Sequence, residues 1–126
     1  MDLREFLDQL EKAGELHTVA AEVDPKHEIG AICKIFNERP NSPALFFENV
    51  KGSTIPVIGQ LLASDRRVAL ALGLSHNKVF EETVRRASVP IAPRRVSAGP
   101  CQEVVMEGAD VDITKLPLCT NNPRDG

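Results

Sequence analysis

The densest chemistry in this sequence is carried by two arginine pairs, Arg85-Arg86 and Arg94-Arg95, four guanidinium groups within eleven residues. Paired planar forks of this kind suit a carboxylate or a phosphate. Arginines at a helix C-terminus also complement the helix dipole. Both pairs are followed by x-Ser, at Ser88 and Ser97, a short pattern that resembles a basophilic kinase site. The reading adopted for Arg85, Arg86, Arg94 and Arg95 is helix-end stabilisation together with an interdomain or anion contact.

Other reactive side chains are scattered. His17, His27 and His76 are far apart, whereas metal ligation wants two or more at short helical or hairpin spacing. Cys33, Cys101 and Cys119 form no CxxC pair and are odd in number, which argues against a disulfide framework or a zinc site. Cys33 falls on the apolar face of an expected helix and reads as a packed thiol. Asp110 and Asp112 flank Val111, so both can point to one side of an extended segment. A metal or acid–base pair is one reading of them and turn solvation the other, the latter favoured. The glycines make neither GxGxxG nor GxxxxGK[ST], which excludes nucleotide binding by those devices. No catalytic, cofactor-binding or metal-binding residue is assigned.

These residues must be held by a small fold. With 126 residues, one domain is the default, and 42% apolar content with only five Phe among the aromatics implies an aliphatic core. A net charge of −3 with mixed signs gives no basic footprint for nucleic acid. No apolar run reaches the ~20 residues of a membrane span, and the acidic N-terminus lacks a signal peptide's apolar stretch. The scattered thiols suit a reducing, cytoplasmic setting.

Leu3, Phe6, Leu7 and Leu10 recur at helical spacing behind Asp2, with Glu5 completing a capping box and Gly14 ending the helix. Leu16 to Val23 reads as a strand. Asp24-Pro25 should cap a helix to about Asn37 that buries Ile29, Ile32, Cys33 and Phe36. Ala44 to Phe47 reads as a buried strand, and Ile55 to Gln60 as another, with Pro56 against a central position. Ser64 or Asp65 should cap a helix closed by Gly73. Ser75 should cap a further helix to about Ala87, with Val79, Phe80, Thr83, Val84 and Ala87 on one face. Val89 to Pro100, with three prolines, is an extended connector and hinge. Gln102 to Met106 is a strand candidate. The apolar stretch Ile113 to Leu118 has no evident packing partner and should be sticky. The chain stops on Asp125-Gly126, a hairpin turn lacking its second strand, which suggests truncation or a partner subunit. Proteases should cut near Val89 to Pro100 or in the last ten residues.

The expected fold is therefore α/β: a small mixed sheet flanked by about four helices, then an extended Pro-rich connector and the start of a β segment. The expected division is 1–88 for the α/β domain and 89–126 for the connector and first strand.

The order of several segments resembles the opening of UbiD-type decarboxylases. They are Asp2-Leu3-Arg4-Glu5-Phe6-Leu7, Gly14-Glu15-Leu16, Glu22-Val23-Asp24-Pro25, and Glu28-Ile29-Gly30-Ala31-Ile32. Pro43 to Gly52, Pro56-Val57-Ile58-Gly59 and Ala69 to Gly73 follow in order, then Pro100 to Val105 and Asp110 to Pro117, leading to an Asp-Gly turn. The resemblance implies an N-terminal domain of a lyase that reversibly and non-oxidatively decarboxylates an aromatic or α,β-unsaturated acid. It implies prenylated FMN, Mn2+ and K+ in the whole enzyme, a homo-oligomer, and the remaining catalytic domain as partner. The family's metal ligands and catalytic Glu-Arg-Glu set fall beyond residue 126, so residues 1–126 should bind no cofactor and be inactive alone. The alternative is a free-standing, non-catalytic subunit or binding module that completes a separate decarboxylase chain.

Overall fold

The computed structural model describes residues 1–125; Gly126, half of the expected Asp-Gly turn, lies outside the described residues. The chain opens with helix α1, Leu3–Lys12. Asp2 Oδ1 accepts from the Glu5 N–H at 2.9 Å and Glu5 Oε2 accepts from the Asp2 N–H at 2.9 Å, so the capping box forms. Gly14 then takes φ 69°, and the Glu15 N–H reaches back to the Leu10 carbonyl at 2.8 Å, satisfying an end carbonyl.

Strand β1, Leu16–Val19, runs through helix α2, Glu28–Asn37, into strand β2, Ala44–Phe47. β1 and β2 pair in parallel from Leu16 opposite Ala44. Strand β3, Val57–Gly59, pairs antiparallel on the far side of β2, so the sheet is mixed, in the order β1-β2-β3. β2 is central and β3 is an edge, as a preceding Pro56 requires.

Alternation along β2 divides the core into two clusters. Leu45 and Phe47 face α2 and pack with Val23, Ile29 and Val50. Ala44 faces the opposite way, against Phe6 and Leu10 of α1. Helix α3, Asp65–Leu72, completes that second layer through Leu70 and Ala71. Each fully buried Leu or Phe contributes about 1.5–3 kcal/mol of transfer free energy. Ser64 caps α3, and Gly73 closes it at φ 66°. Helix α4, Val79–Ser88, follows a 3-10 turn.

The α/β class and the small mixed sheet with four α-helices stand as expected. Several details differ. β1 ends at Val19, and Val23 makes only an isolated bridge to Val50. The interruption is local: the Asn49 carboxamide donates to the Ala20 carbonyl at 2.6 Å and ends the ladder there. Asp24 does not cap α2. Its carboxylate accepts from the Lys26 N–H at 2.8 Å, an Asx-type turn that competes with helix entry. The helix starts three residues later, after His27 at φ 73°. Ser75 makes no side-chain cap.

The expected face of α4 is apolar but uncovered: none of its residues is buried, and Phe80 is 84% exposed. Residues 102–106 form no strand. A 3-10 turn occupies Pro100–Gln102, and the β character of this region is a single bridge between Lys26 and Thr120.

Candidate functional site

That bridge borders an open cleft beside α2 and β3. The His27 N–H donates to the Thr120 carbonyl at 2.7 Å, and the Thr120 N–H donates to the Pro25 carbonyl at 3.1 Å. The chain therefore returns to the domain after a long excursion. Asn121 then lies against Gly30, where an added Cβ would meet the Asn121 side chain and push it aside. Asp125 ties the end down by accepting from the Asn121 and Asn122 N–H groups at 3.0 and 2.8 Å. Those bonds, from Asn122 first, hold its carboxyl below the usual range.

Between this tail, α2 and β3 lies an open cavity of about 800 Å³, with His27, Cys33, Lys34, Gln60, Cys119 and Asn122 on its walls. Cys33 and Cys119 both pack against the α2-side core. Burial pushes both thiols up from their ordinary value, Cys33 further disfavoured by the neighbouring Cys119, so neither is activated as a nucleophile. The cavity offers amides, an imidazole and one ammonium but no carboxylate.

The arginines expected to act together are divided. Glu82 accepts from Arg85 Nε at 2.7 Å, from Arg85 Nη2 at 2.5 Å and from Arg86 Nε at 3.0 Å. These bonds, Arg85 first, pull the Glu82 carboxyl down to about 2. Arg86 also donates to the Leu72 carbonyl at 3.3 Å, tying α4 to the end of α3. Among the described residues, Arg94 and Arg95 form no ion pair and stand exposed.

A third pair, Arg66-Arg67, went unnoticed in the sequence and is the better ordered. Arg67 is 1% exposed and donates to the carbonyls of Ser42 (2.6 Å), Gln60 (3.1 Å) and Leu61 (3.2 Å) and to Glu15 (3.1 Å). Arg66 takes the other Glu15 oxygen at 3.0 Å. The available signal was position: Arg67 precedes Leu70 and Ala71 by three and four residues, on the inward face of α3. Its role is structural, joining α3, the start of β1 and two loops.

The remaining sequence candidates are not brought together. His17 stacks on Phe36 at 5.5 Å between ring centroids. Asp112 accepts from Thr114 N–H and Oγ1 at 3.0 and 2.6 Å, the favoured turn role. Among the described residues no group of three or more His, Cys, Asp or Glu could hold a metal ion, and no helix is long and apolar enough to cross a membrane. The donor set does not fit an anchored flavin phosphate with its divalent ion.

What is built is a small mixed α/β domain with a bare helix face and a looped arm. The family model for the 3-octaprenyl-4-hydroxybenzoate carboxy-lyase N-terminal domain matches residues 7–87, and the chain belongs to that family, the UbiD class. Vanillic acid decarboxylase of Sedimentibacter hydroxybenzoicus, in its closed form, is 38% identical over 99% of this chain, with a TM-score of 0.86. An evolved dimeric form of the UbiD-class enzyme HmfF from Pelotomaculum thermopropionicum, in complex with prenylated FMN, is 32% identical over 95%, with a TM-score of 0.84. The 3,4-dihydroxybenzoic acid decarboxylase AroY of Klebsiella pneumoniae is 29% identical over 97%, with a TM-score of 0.80. The chain spans 28% of the length of each.

Proposed function

We propose that this chain is the N-terminal scaffold of a prenylated-FMN-dependent decarboxylase acting reversibly on an aromatic or α,β-unsaturated carboxylic acid. The observation that carries the reading is the near-complete coverage of this chain by decarboxylases more than three times its length. Residues 1–88 are the folded unit, and 119–125 are pinned back onto it. The flavin, Mn2+ and K+ belong to the remaining catalytic portion, which works as a homo-oligomer in the cytoplasm. The apolar face of α4, with Phe80 and Val84 exposed, is the surface that meets that portion, and Arg85 and Arg86 border it. An exposed apolar face of this kind marks an interaction surface.

The scaffold does no chemistry itself. It holds its neighbour and excludes water from one side of the pocket, while the cofactor supplies the electron sink. The test is spectroscopic. Residues 1–126, purified from cells able to prenylate flavin, should show no flavin absorbance and no release of CO2 from vanillate or 3,4-dihydroxybenzoate. A stoichiometric flavin on this chain would overturn the proposal.

A further inference from the structure

Cys33 and Cys119 stand far apart in the chain and converge in the fold. Cys33 lies in α2, and its Sγ faces β3, where a Cβ added to Gly59 would come 2.6 Å from it. Cys119 precedes Thr120, whose bridge to Lys26 brings the returning tail to the start of α2. The tail then follows that helix. Asn121 lies against Gly30, and Cys33 is one turn beyond Gly30 on the same side of α2. Both thiols pack against the cluster of Val23, Ile29, Leu45, Phe47 and Val50, and both line the cleft between α2, β3 and the tail. The third thiol, Cys101, is exposed and belongs to neither.

The tail is otherwise held lightly. Among the described residues its backbone ties to the domain are the two bonds of Thr120, with His27 and with Pro25. We infer that Cys33 and Cys119 are a reversible redox pair, free thiols at rest and a disulfide under a peroxide oxidant, and that the disulfide fastens the returning tail to α2. The tail contributes Asn121, Asn122 and Pro123 to the cleft beside Cys119, so the bond fixes one wall of it. The inference concerns contacts within this chain and is independent of the decarboxylase reading.

The step balances with hydrogen peroxide. One thiolate attacks a peroxide oxygen, the O–O bond breaks, and a sulfenic acid and a hydroxide result. The second thiolate attacks the sulfenic sulfur and expels a second hydroxide as the S–S bond forms. The two hydroxides take up the two thiol protons as two waters. Each sulfur gives up one electron, and the peroxide gains two. Burial, which raises both thiols, with the neighbouring Cys119 adding to the effect at Cys33, sets the character of the pair. Thiolates are scarce at neutral pH, so the bond forms slowly. Once formed it is slow to be reduced, because thiols of raised pKa are poor leaving groups.

The experiment oxidises the 126-residue chain with hydrogen peroxide, cuts it with a protease between Val89 and Cys101, and weighs the denatured products with and without dithiothreitol. The cut puts Cys33 in one piece and Cys119 in the other. Oxidised wild type should give the two pieces joined, dithiothreitol should part them, and peptide mapping should find Cys33 linked to Cys119. Cys101→Ser should behave as the wild type. Cys33→Ser and Cys119→Ser should each give separate pieces; if Cys33→Ser fails to fold, Cys119→Ser carries the control. Uncut, the oxidised wild type should melt roughly 5–15 °C above the reduced protein, because the bond closes residues 33–119 into one loop and constrains the unfolded chain. Neither single-thiol variant should show that rise. Absence of a link between Cys33 and Cys119 after oxidation overturns the proposal, and so does a link of either to Cys101 in its place. A disulfide that leaves the melting midpoint unchanged or lowers it also overturns it, since the tail then has to leave its place for the bond to form.

Discussion

Arg67 illustrates how one side chain can hold several segments. Its guanidinium spends its donors on three carbonyls and one carboxylate, with almost no water contact. Arg67→Ala strands those acceptors and leaves Glu15 with only the exposed Arg66. The expected cost is about 3–5 kcal/mol, read from urea denaturation midpoints. Arg67→Lys should recover little, since a single ammonium cannot reproduce the planar fork. Glu82 is the opposite case, an exposed residue with a strong local bond set. Its carboxyl is lowered from 4.5 to about 2, so its stabilising contribution is full above 4.5 and disappears as pH falls toward 2. The helicity of α4 should decline over that window by far-UV circular dichroism. Glu82→Gln should remove this part of the decline; an unchanged acid profile would show that the arginine bonds do not stabilise α4.

At the scale of elements, the contact between α2 and β3 is set by Gly59. A Cβ there would lie 2.6 Å from Cys33 Sγ and 3.4 Å from the Phe47 ring. Gly59→Ala should therefore cost about 1–3 kcal/mol through overpacking. Adding Cys33→Ala should return part of that loss, a coupling measurable by a double-mutant cycle. Helix α4 makes the contrasting prediction. Phe80 is exposed, so Phe80→Ser should change the stability of this chain by less than about 0.5 kcal/mol. The sequence pattern identified α4 as amphipathic but not whether anything covers it. Periodicity records which face wants burial, and the partner is a separate fact. The start of α2 was misread for a related reason. Asp24-Pro25 is a good local entry signal, but a turn at Lys26 and the bond from His27 to Thr120 take those backbone groups first.

For the whole molecule, the division between a packed domain and an exposed arm determines where the chain opens. Limited proteolysis should cut first between Val89 and Leu116, where no residue is buried. The central strand Ala44–Phe47 should resist, and so should residues 119–125, contrary to the expectation that the last ten residues are open. The sequence alone determined the helices capped by Asp2 and Ser64, the buried central strand, the edge position of β3 and the ordered resemblance to the UbiD class. Those features depend on neighbours within a few residues, or on patterns repeated across a family. Only the tertiary structure decided that Arg67 is buried, that α4 is bare, and that Thr120 returns to Lys26. Each of these depends on groups distant in sequence meeting in space, and no spacing rule along the chain encodes such a meeting.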